Sequence, residues 1–562
     1  MNAINTVNPS PSLPFAKGKG QARIEQVSIW LLMVFIAIVL ISQTRSLYIF
    51  PQPDGARWWG DETGQMLELR AELKDGFAHI PTGLGSSVAI TNGLVRGNSW
   101  LAAAIYGIPT LLFSGVTDLV TIGRTITLLL SLVLCFVMYR MLRAFDVSPT
   151  IALFAVLLLV TTRSFFFASH AARLDVAAGL SVLGFVWYLS DRFERMKRAE
   201  WTPTSSWFFL YGATAILFST LSIHLLTLLG LLSIYMLSRF GAVRKPRYIL
   251  SASAGAIVML AVLLIIYKLS GAPFTVFGLN PINTASSNQF QNVARSLPIE
   301  RPLARSVQIA NVLERLQGLW SEATIFLIVL LICGILFLII QRKSRVNNRD
   351  SFFFGAVVII LIAWLFFQSP ALYYYIHVLP LFIVAIAIGI SSRDKNNRML
   401  LLILTACAIP MALLSISDTL VAGNVSRTIE RDNHAAMNAA LSTVRSDSNR
   451  TVLAQNPAIA FLERQRDIHL MTAHLISFPL TIAPIAETLH DLNVRSILLY
   501  APGDGSVYSE DYQKLRPVAD SIGTIVLKQT GTLFDVYRDY FKRDIRYPDT
   551  LILYKLPNII AR

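Results

Sequence analysis

Charge is what this chain lacks. Of its 562 residues only 15% are Asp, Glu, Lys or Arg, where a soluble domain carries about 25%. So few charges cannot solvate the surface of a chain this long, which excludes a soluble globular protein. Cysteine is scarce as well. Cys135, Cys333 and Cys407 all fall inside apolar runs, so they read as small core residues, and disulfides or thiolate metal sites are not expected. Acidic residues are outnumbered, 34 against 49 basic ones. That excess is split among short segments between apolar runs, which argues against a nucleic-acid-binding face.

What is present is hydrophobicity, 54% of the chain with a mean hydropathy of +0.55. Apolar runs of roughly 17–22 residues recur, each long enough to cross a bilayer as a helix. The polar first 25 residues carry Lys17, Lys19 and Arg23 ahead of a run at 26–47 with no small-residue cleavage site after it. This reads as an uncleaved signal anchor. Further basic clusters lie at Arg140 and Arg143, 192–198, 239–247, 342–349 and 393–398. Placing all of them on the cytoplasmic side requires an even number of crossings between neighbours. The short run at 99–114, with Gly107, Pro109 and Ser114, then becomes a helix lying on the outer surface. The remaining spans fall at 120–142, 147–165, 174–191, 206–222, 225–239, 248–268, 322–341, 352–368, 372–391 and 398–417. With the first, that predicts about eleven crossings, N-terminus inside and C-terminus outside.

The expected fold class is therefore a polytopic α-helical membrane protein with a C-terminal soluble α/β domain. The divisions are a cytoplasmic tail at 1–25, a transmembrane domain at 26–417 and an extracytoplasmic domain at 418–562. Two external loops stand out, at 48–119 and at 269–320, the latter with Arg295, Arg301, Arg305 and Arg315. In the tail, helices are expected near 432–446, 482–492 and 508–521. Strands are expected at Thr451–Ala454, Ile468–Met471, Arg495–Tyr500, Thr524–Lys528 and Leu551–Leu556. The tail has no Gly-rich phosphate motif and no nucleophile elbow, so it is read as non-catalytic.

Two constellations could carry chemistry. In Trp58-Trp59-Gly60-Asp61-Glu62, paired carboxylates sit just past the first span; the plain alternative is a solvated turn with tryptophan anchors at the interface. In Ser169-His170-Ala171-Ala172-Arg173-Leu174-Asp175, a His, an Arg and an Asp gather at an outer boundary. Here the alternative is a snorkelling Arg173 and an Asp175 that caps a helix. The topology puts both groups on one side and at one depth. A polar cavity shared by the two explains that, and two unrelated caps do not.

One span, a long external loop opening on Asp61-Glu62, a surface helix and Arg124 starting the next span: this order resembles the GT-C-fold lipid-dependent glycosyltransferases. The nearest groups are the protein O-mannosyltransferases and aminoarabinose–lipid A transferases. The likeness continues with the basic inner turn, Arg173-Leu174-Asp175 as an Arg-x-Asp motif, and Tyr373-Tyr374-Tyr375-Ile376-His377-Val378-Leu379-Pro380 as a Tyr-rich run into Leu-Pro. It covers most of the chain through short motifs. One departure is the Lys/His-Pro-Pro signature, replaced here by Arg96-Gly97-Asn98-Ser99-Trp100; the lysine's role does not carry over, and Arg96 or His79 are the candidates to replace it.

The resemblance implies transfer of a sugar from a polyprenyl phosphate to an extracytoplasmic acceptor (lipid A, a glycan, a lipid or a protein) at a bacterial inner membrane. It implies Asp61 as the base, Glu62 as an acceptor-orienting group, and Asp175 as a third catalytic carboxylate. A divalent metal could be held by Glu62, Asp175 and His170. Arg124, Arg173, His170, Tyr375 and His377 are the expected substrate contacts, with the guanidinium of Arg124, Arg173 or an arginine of 269–320 matched to the donor phosphate. Two rivals remain open: an O-antigen ligase or polymerase using the arginines of 269–320, and a transporter. The few buried charges and the lack of a repeated half weigh against transport.

Overall fold

A computed structural model of the chain describes residues 19–44, 79–82, 86–89, 100–113, 119–221, 223–242, 245–269, 348–367 and 372–391, and most of 406–420. It also describes 438–454, 468–472, most of 485–502, 510–530 and 548–557. Asp61, Glu62, Arg96, the loop at 269–320 and the span expected at 322–341 lie outside the described residues.

The apolar runs among the described residues fold as helices. They are α1 (Lys19–Thr44), α2 (Leu119–Ala144), α3 (Pro149–Val160), α4 (Arg163–His170), α5 (Asp175–Lys197) and α6 (Ser205–Ser219). After these come α7 (Ile223–Arg239), α8 (Pro246–Leu269), α9 (Asn348–Phe367), a 3-10 turn at Leu372–His377 and α10 (Leu379–Ser391). Among the described residues three helices meet the length and apolarity needed to cross a membrane alone. Packing, more than propensity, decides what each does. In α3, ten of twelve residues are buried, as expected of a helix apolar on every side, and it stands between α1, α2 and α10. Pro149 opens it at the first turn, where a missing N–H costs nothing.

The run expected to span at 147–165 is bent, with α4 turned 68° from α3. Thr162 makes the break. Its hydroxyl oxygen accepts from the Phe165 N–H at 3.2 Å and so starts a new helix where the old one could have continued. Elsewhere small residues let helices close up. A Cβ on Gly212 or Gly255 would run into the facing backbone carbonyl, Ala252 or Phe209, so α6 and α8 touch along a glycine seam.

Far from Asp175, the other end of α5 carries an ion network. Arg349, at the start of α9, sits 3.3 Å from Glu194 and 3.4 Å from Asp146. Its guanidinium lies 4.5 Å over the Phe145 ring, and Arg198 pairs with the other Glu194 oxygen. Three connections are tied together there: the α2–α3 turn, the end of α5 and the start of α9.

The tail contains a five-stranded mixed sheet in the order β4-β3-β5-β7-β6. Its strands are β3 (Thr451–Ala454), β4 (His469–Thr472), β5 (Ser496–Pro502), β6 (Thr524–Thr530) and β7 (Pro548–Lys555). β4, β3 and β5 run parallel, and β7 is antiparallel to both β5 and β6. Successive side chains alternate faces, and the two faces have different partners. Leu453, Ile497, Leu499, Ile552 and Tyr554 pack with Leu515 and Val518 of α11 (Glu510–Ile522). Val452, Ala454, Leu498, Leu551 and Leu553 belong to one cluster with Ala102, Tyr106 and Ala172. The sheet thus closes over the end of the bundle that holds Asp175. A hairpin from the first long loop, β1 (His79–Thr82) paired with β2 (Ser86–Ala89), lies beside β4.

Candidate functional site

Asp175 is the first residue of α5, where the helix dipole favours a carboxylate. A tight turn, with the Arg173 N–H donating to the Ala171 carbonyl at 2.7 Å, folds Arg173 back over it. The Arg173 Nε donates to Asp175 Oδ2 at 2.9 Å. The other carboxylate oxygen lies 3.4 Å from His377 Nε2, brought from 202 residues away. Asp175 and His377 are both buried.

Gly179, one turn into α5, permits that meeting. A Cβ there would stand 2.5 Å from the Ile376 carbonyl oxygen, so only glycine lets the 3-10 turn lie directly on the helix. Gly179→Ala is therefore expected to destabilise the fold by about 1–3 kcal/mol, as overpacking does. An unfolding midpoint unchanged in detergent would mean that the turn does not rest on α5.

The surface segment completes the wall. It runs as a short helix (Trp100–Ala102), a π turn (Ala103–Gly107) and a second helix (Ile108–Phe113). Tyr106, in the π turn, is fully buried; its hydroxyl donates to the Arg173 carbonyl at 2.7 Å and lies 2.9 Å from Thr127 Oγ1. Arg124, 1% exposed, sits one turn before Thr127 on α2, within electrostatic reach of His170. Tyr106 in turn is within electrostatic reach of Asp175. Arg124, Arg173, Asp175, His170 and His377 are thus gathered by α2, α4, α5 and the 3-10 turn under the sheet.

Not all of them face a ligand in the same way. His170 holds backbone: Nε2 is 2.7 Å from the Gln43 carbonyl, and Nδ1 is 2.7 Å from the Phe166 carbonyl and 2.9 Å from Ser169 Oγ. The Gln43 side chain donates to the Val160 carbonyl at 2.9 Å, at the break between α3 and α4. His170 and Gln43 together pin the end of α1 to the bend. Tyr375 is buried edge-on against Trp364, with ring centroids 4.8 Å apart, while Tyr374 is the tyrosine beside His377, at 5.7 Å. Tyr106, Thr127 and Gln43 carried no motif. Their one signal was a polar tip in an apolar run, which must find a partner when buried.

Of the expected metal ligands, Asp175 and His170 are described and Glu62 is not. Among the described residues no three His, Cys, Asp or Glu side chains gather in a way that could hold an ion. Both ring nitrogens of His170 face carbonyl oxygens, and both Asp175 oxygens face Arg173 or His377. Among the described residues the arrangement offers an arginine and a histidine on one buried carboxylate, with the sheet packed over the turn that carries them.

A bundle of apolar helices, broken at α3–α4 and closed at one end by a surface segment, is the GT-C membrane fold that the sequence motifs resemble. The chain is similar over 94% of its length, and over 98% of the other chain, to the crystal structure of ArnT from Cupriavidus metallidurans bound to undecaprenyl phosphate, at 13% identity and a TM-score of 0.50. It is also similar to the Archaeoglobus fulgidus oligosaccharyltransferase in complex with Zn and sulfate, over 87% of this chain and 71% of that one, at 13% identity and a TM-score of 0.47. For the S. cerevisiae protein O-mannosyltransferase Pmt1-Pmt2 complex bound to the sugar donor the figures are 47% and 38%, at 18% identity and a TM-score of 0.28. At such identities the likeness to ArnT is one of fold. No family model and no curated protein matches the sequence.

Proposed function

We propose that this protein is an inverting glycosyltransferase that moves a sugar from a polyprenyl phosphate to an acceptor outside the cytoplasm of a bacterium. The observation that carries this reading is the assembly of Arg173 with the buried Asp175 and His377. It sits where the GT-C resemblance places an Arg-x-Asp motif, in a chain whose fold is similar to a structure bound to undecaprenyl phosphate. With this go about eleven crossings of the inner membrane, the N-terminus inside, and residues 418–562 as an extracytoplasmic domain.

In the reaction, Asp61 takes the proton of the acceptor hydroxyl as its oxygen attacks the anomeric carbon. A new C–O bond forms on one face while the bond to the phosphate oxygen breaks on the other. The polyprenyl phosphate leaves with the electron pair, and the configuration inverts. Glu62 orients the acceptor. Arg124 and Arg173 meet the charge that grows on the departing phosphate, which is where fixed cations accelerate such a step. Asp175 and His377 hold the Arg173 guanidinium in place.

The test uses purified protein in lipid with a panel of synthetic polyprenyl-phosphate sugars and measures free polyprenyl phosphate. Release that requires the protein and depends on the attached sugar is expected. No release with any donor, alongside solute flux in proteoliposomes, would replace this reading with transport. Activity that survives Asp61→Asn but is lost on replacing the arginines of 269–320 would replace it with a ligase or polymerase.

A further inference from the structure

Arg173 reaches Asp175 from a stretch of backbone that belongs to neither helix. Residues 171–174 join α4 to α5, so no helical ladder fixes the carbonyl of Arg173. That carbonyl accepts instead from the Tyr106 hydroxyl, 67 residues earlier in the chain, at 2.7 Å. A carbonyl cannot donate, so the single hydroxyl proton of Tyr106 is committed to Arg173. Thr127 on α2 meets the tyrosine oxygen from the other side, at 2.9 Å, and lies 3.0 Å from the Gly123 carbonyl. One phenol thus ties the Arg173 turn to α2.

The ring of Tyr106 is held as firmly as its tip. It is fully buried, in one cluster with Ala172 and with Val452, Leu498, Leu551 and Leu553 of the tail sheet. Leu174, on the other side of Arg173, packs against the same cluster. The residues flanking Arg173 therefore rest on the sheet-facing core, while its own guanidinium turns away to Asp175. Tyr106 itself stands in the π turn, where each hydrogen-bonded turn takes in one residue more than in an α-helix, an uncommon form that recurs at functional sites.

We propose that Tyr106 is a positioning residue for Arg173, and that the tail sheet acts on the site through it. The sheet fixes the tyrosine ring, and the hydroxyl fixes the turn from which the guanidinium reaches Asp175. What Arg173 binds is taken from the proposed glycosyl transfer. Residues 418–562 gain by this a part in the reaction that needs no chemical group of their own.

Tyr106→Phe keeps the ring in its cluster and deletes the hydroxyl. Donor KM is expected to rise about fivefold, the worth of one buried hydrogen bond, with a smaller fall in kcat. Tyr211→Phe is the matched control, a buried tyrosine on α6 whose hydroxyl meets Ser233 of α7 at 2.9 Å; it is expected to leave both constants unchanged. The sheet is tested on a single strand. Leu498 and Leu499 are neighbours on β5, both buried, with Leu498 in the cluster of Tyr106 and Leu499 in the one with α11. Leu498→Ala is expected to raise donor KM and Leu499→Ala to leave it unchanged, although both open a cavity in the domain. An unchanged KM in Tyr106→Phe, or an equal response in the two leucine variants, overturns the proposal.

Amide hydrogen exchange reads the turn without any ligand. Exchange across 171–175 should quicken in Tyr106→Phe and keep the wild-type rate in Tyr211→Phe. That result, together with no release from any donor, would leave the clamp standing and remove the glycosyl-transfer reading. Wild-type exchange in both variants would show that the hydroxyl holds nothing, and overturns the proposal.

Discussion

Asp61→Asn is expected to slow release of polyprenyl phosphate by about 10²–10⁴-fold, the range a positioned general base contributes. Asparagine preserves size and most hydrogen bonding and removes only the ability to take the acceptor's proton. The loss should therefore fall on kcat, with donor KM little changed. Asp175→Asn is the informative comparison. Asp175 already accepts from Arg173 at 2.9 Å and lies 3.4 Å from His377, so its charge is spent on orienting them. Its loss frees the Arg173 guanidinium from its fixed pose, and the expected effect is a rise in donor KM with a smaller fall in kcat. If Asp61→Asn retains full turnover while Asp175→Asn abolishes it, the base has been assigned to the wrong carboxylate.

At the other end of α5, Glu194→Ala is expected to cost about 3 kcal/mol of stability, the lower part of the range for removing one partner of a buried ion pair. Glu194 is buried and joins Arg349 from α9 with Arg198 from its own helix. The Arg198 pair adds little, because Arg198 is 59% exposed. The cost comes from Arg349, 13% exposed, which would lose its buried partner and keep the solvated Asp146. Glu194→Gln should recover part of the loss through hydrogen bonding. Thermal unfolding in detergent reads both variants, and an alanine variant as stable as the wild type would show that the network holds nothing together.

The bundle was legible because hydropathy is a local property. Runs such as 120–142 and 248–268 declare helices without reference to anything else, and the short apolar strands of the tail do the same. The bend at Thr161–Thr162 was not legible. A threonine at that place can end a helix, start one or continue one, and the choice depends on the Gln43 side chain reaching the Val160 carbonyl. The site divides in the same way. Arg173 and Asp175 are neighbours in sequence, and their pairing follows from spacing. The approach of His377 rests on Gly179 accepting a backbone 197 residues later, which no local pattern contains. His170 illustrates the converse. As a histidine beside Arg and Asp it is expected to bind substrate or metal, whereas its nitrogens are taken by carbonyl groups of α1 and α4. Asp61 and Glu62 remain proposals from order and resemblance.

The burial of α3 has a consequence in time. This helix meets α1 and α2, made before it, but also α10, which begins 219 residues after α3 ends. At synthesis rates of about 5–20 residues per second, α3 waits roughly 10–45 s for that partner. During the wait its apolar side faces lipid, which accepts it readily, so the bilayer acts as a temporary neighbour that α10 must later displace. Assembly of the centre of this molecule thus ends with an exchange of lipid for protein, and truncation before residue 379 should leave α3 inserted yet still facing the acyl chains.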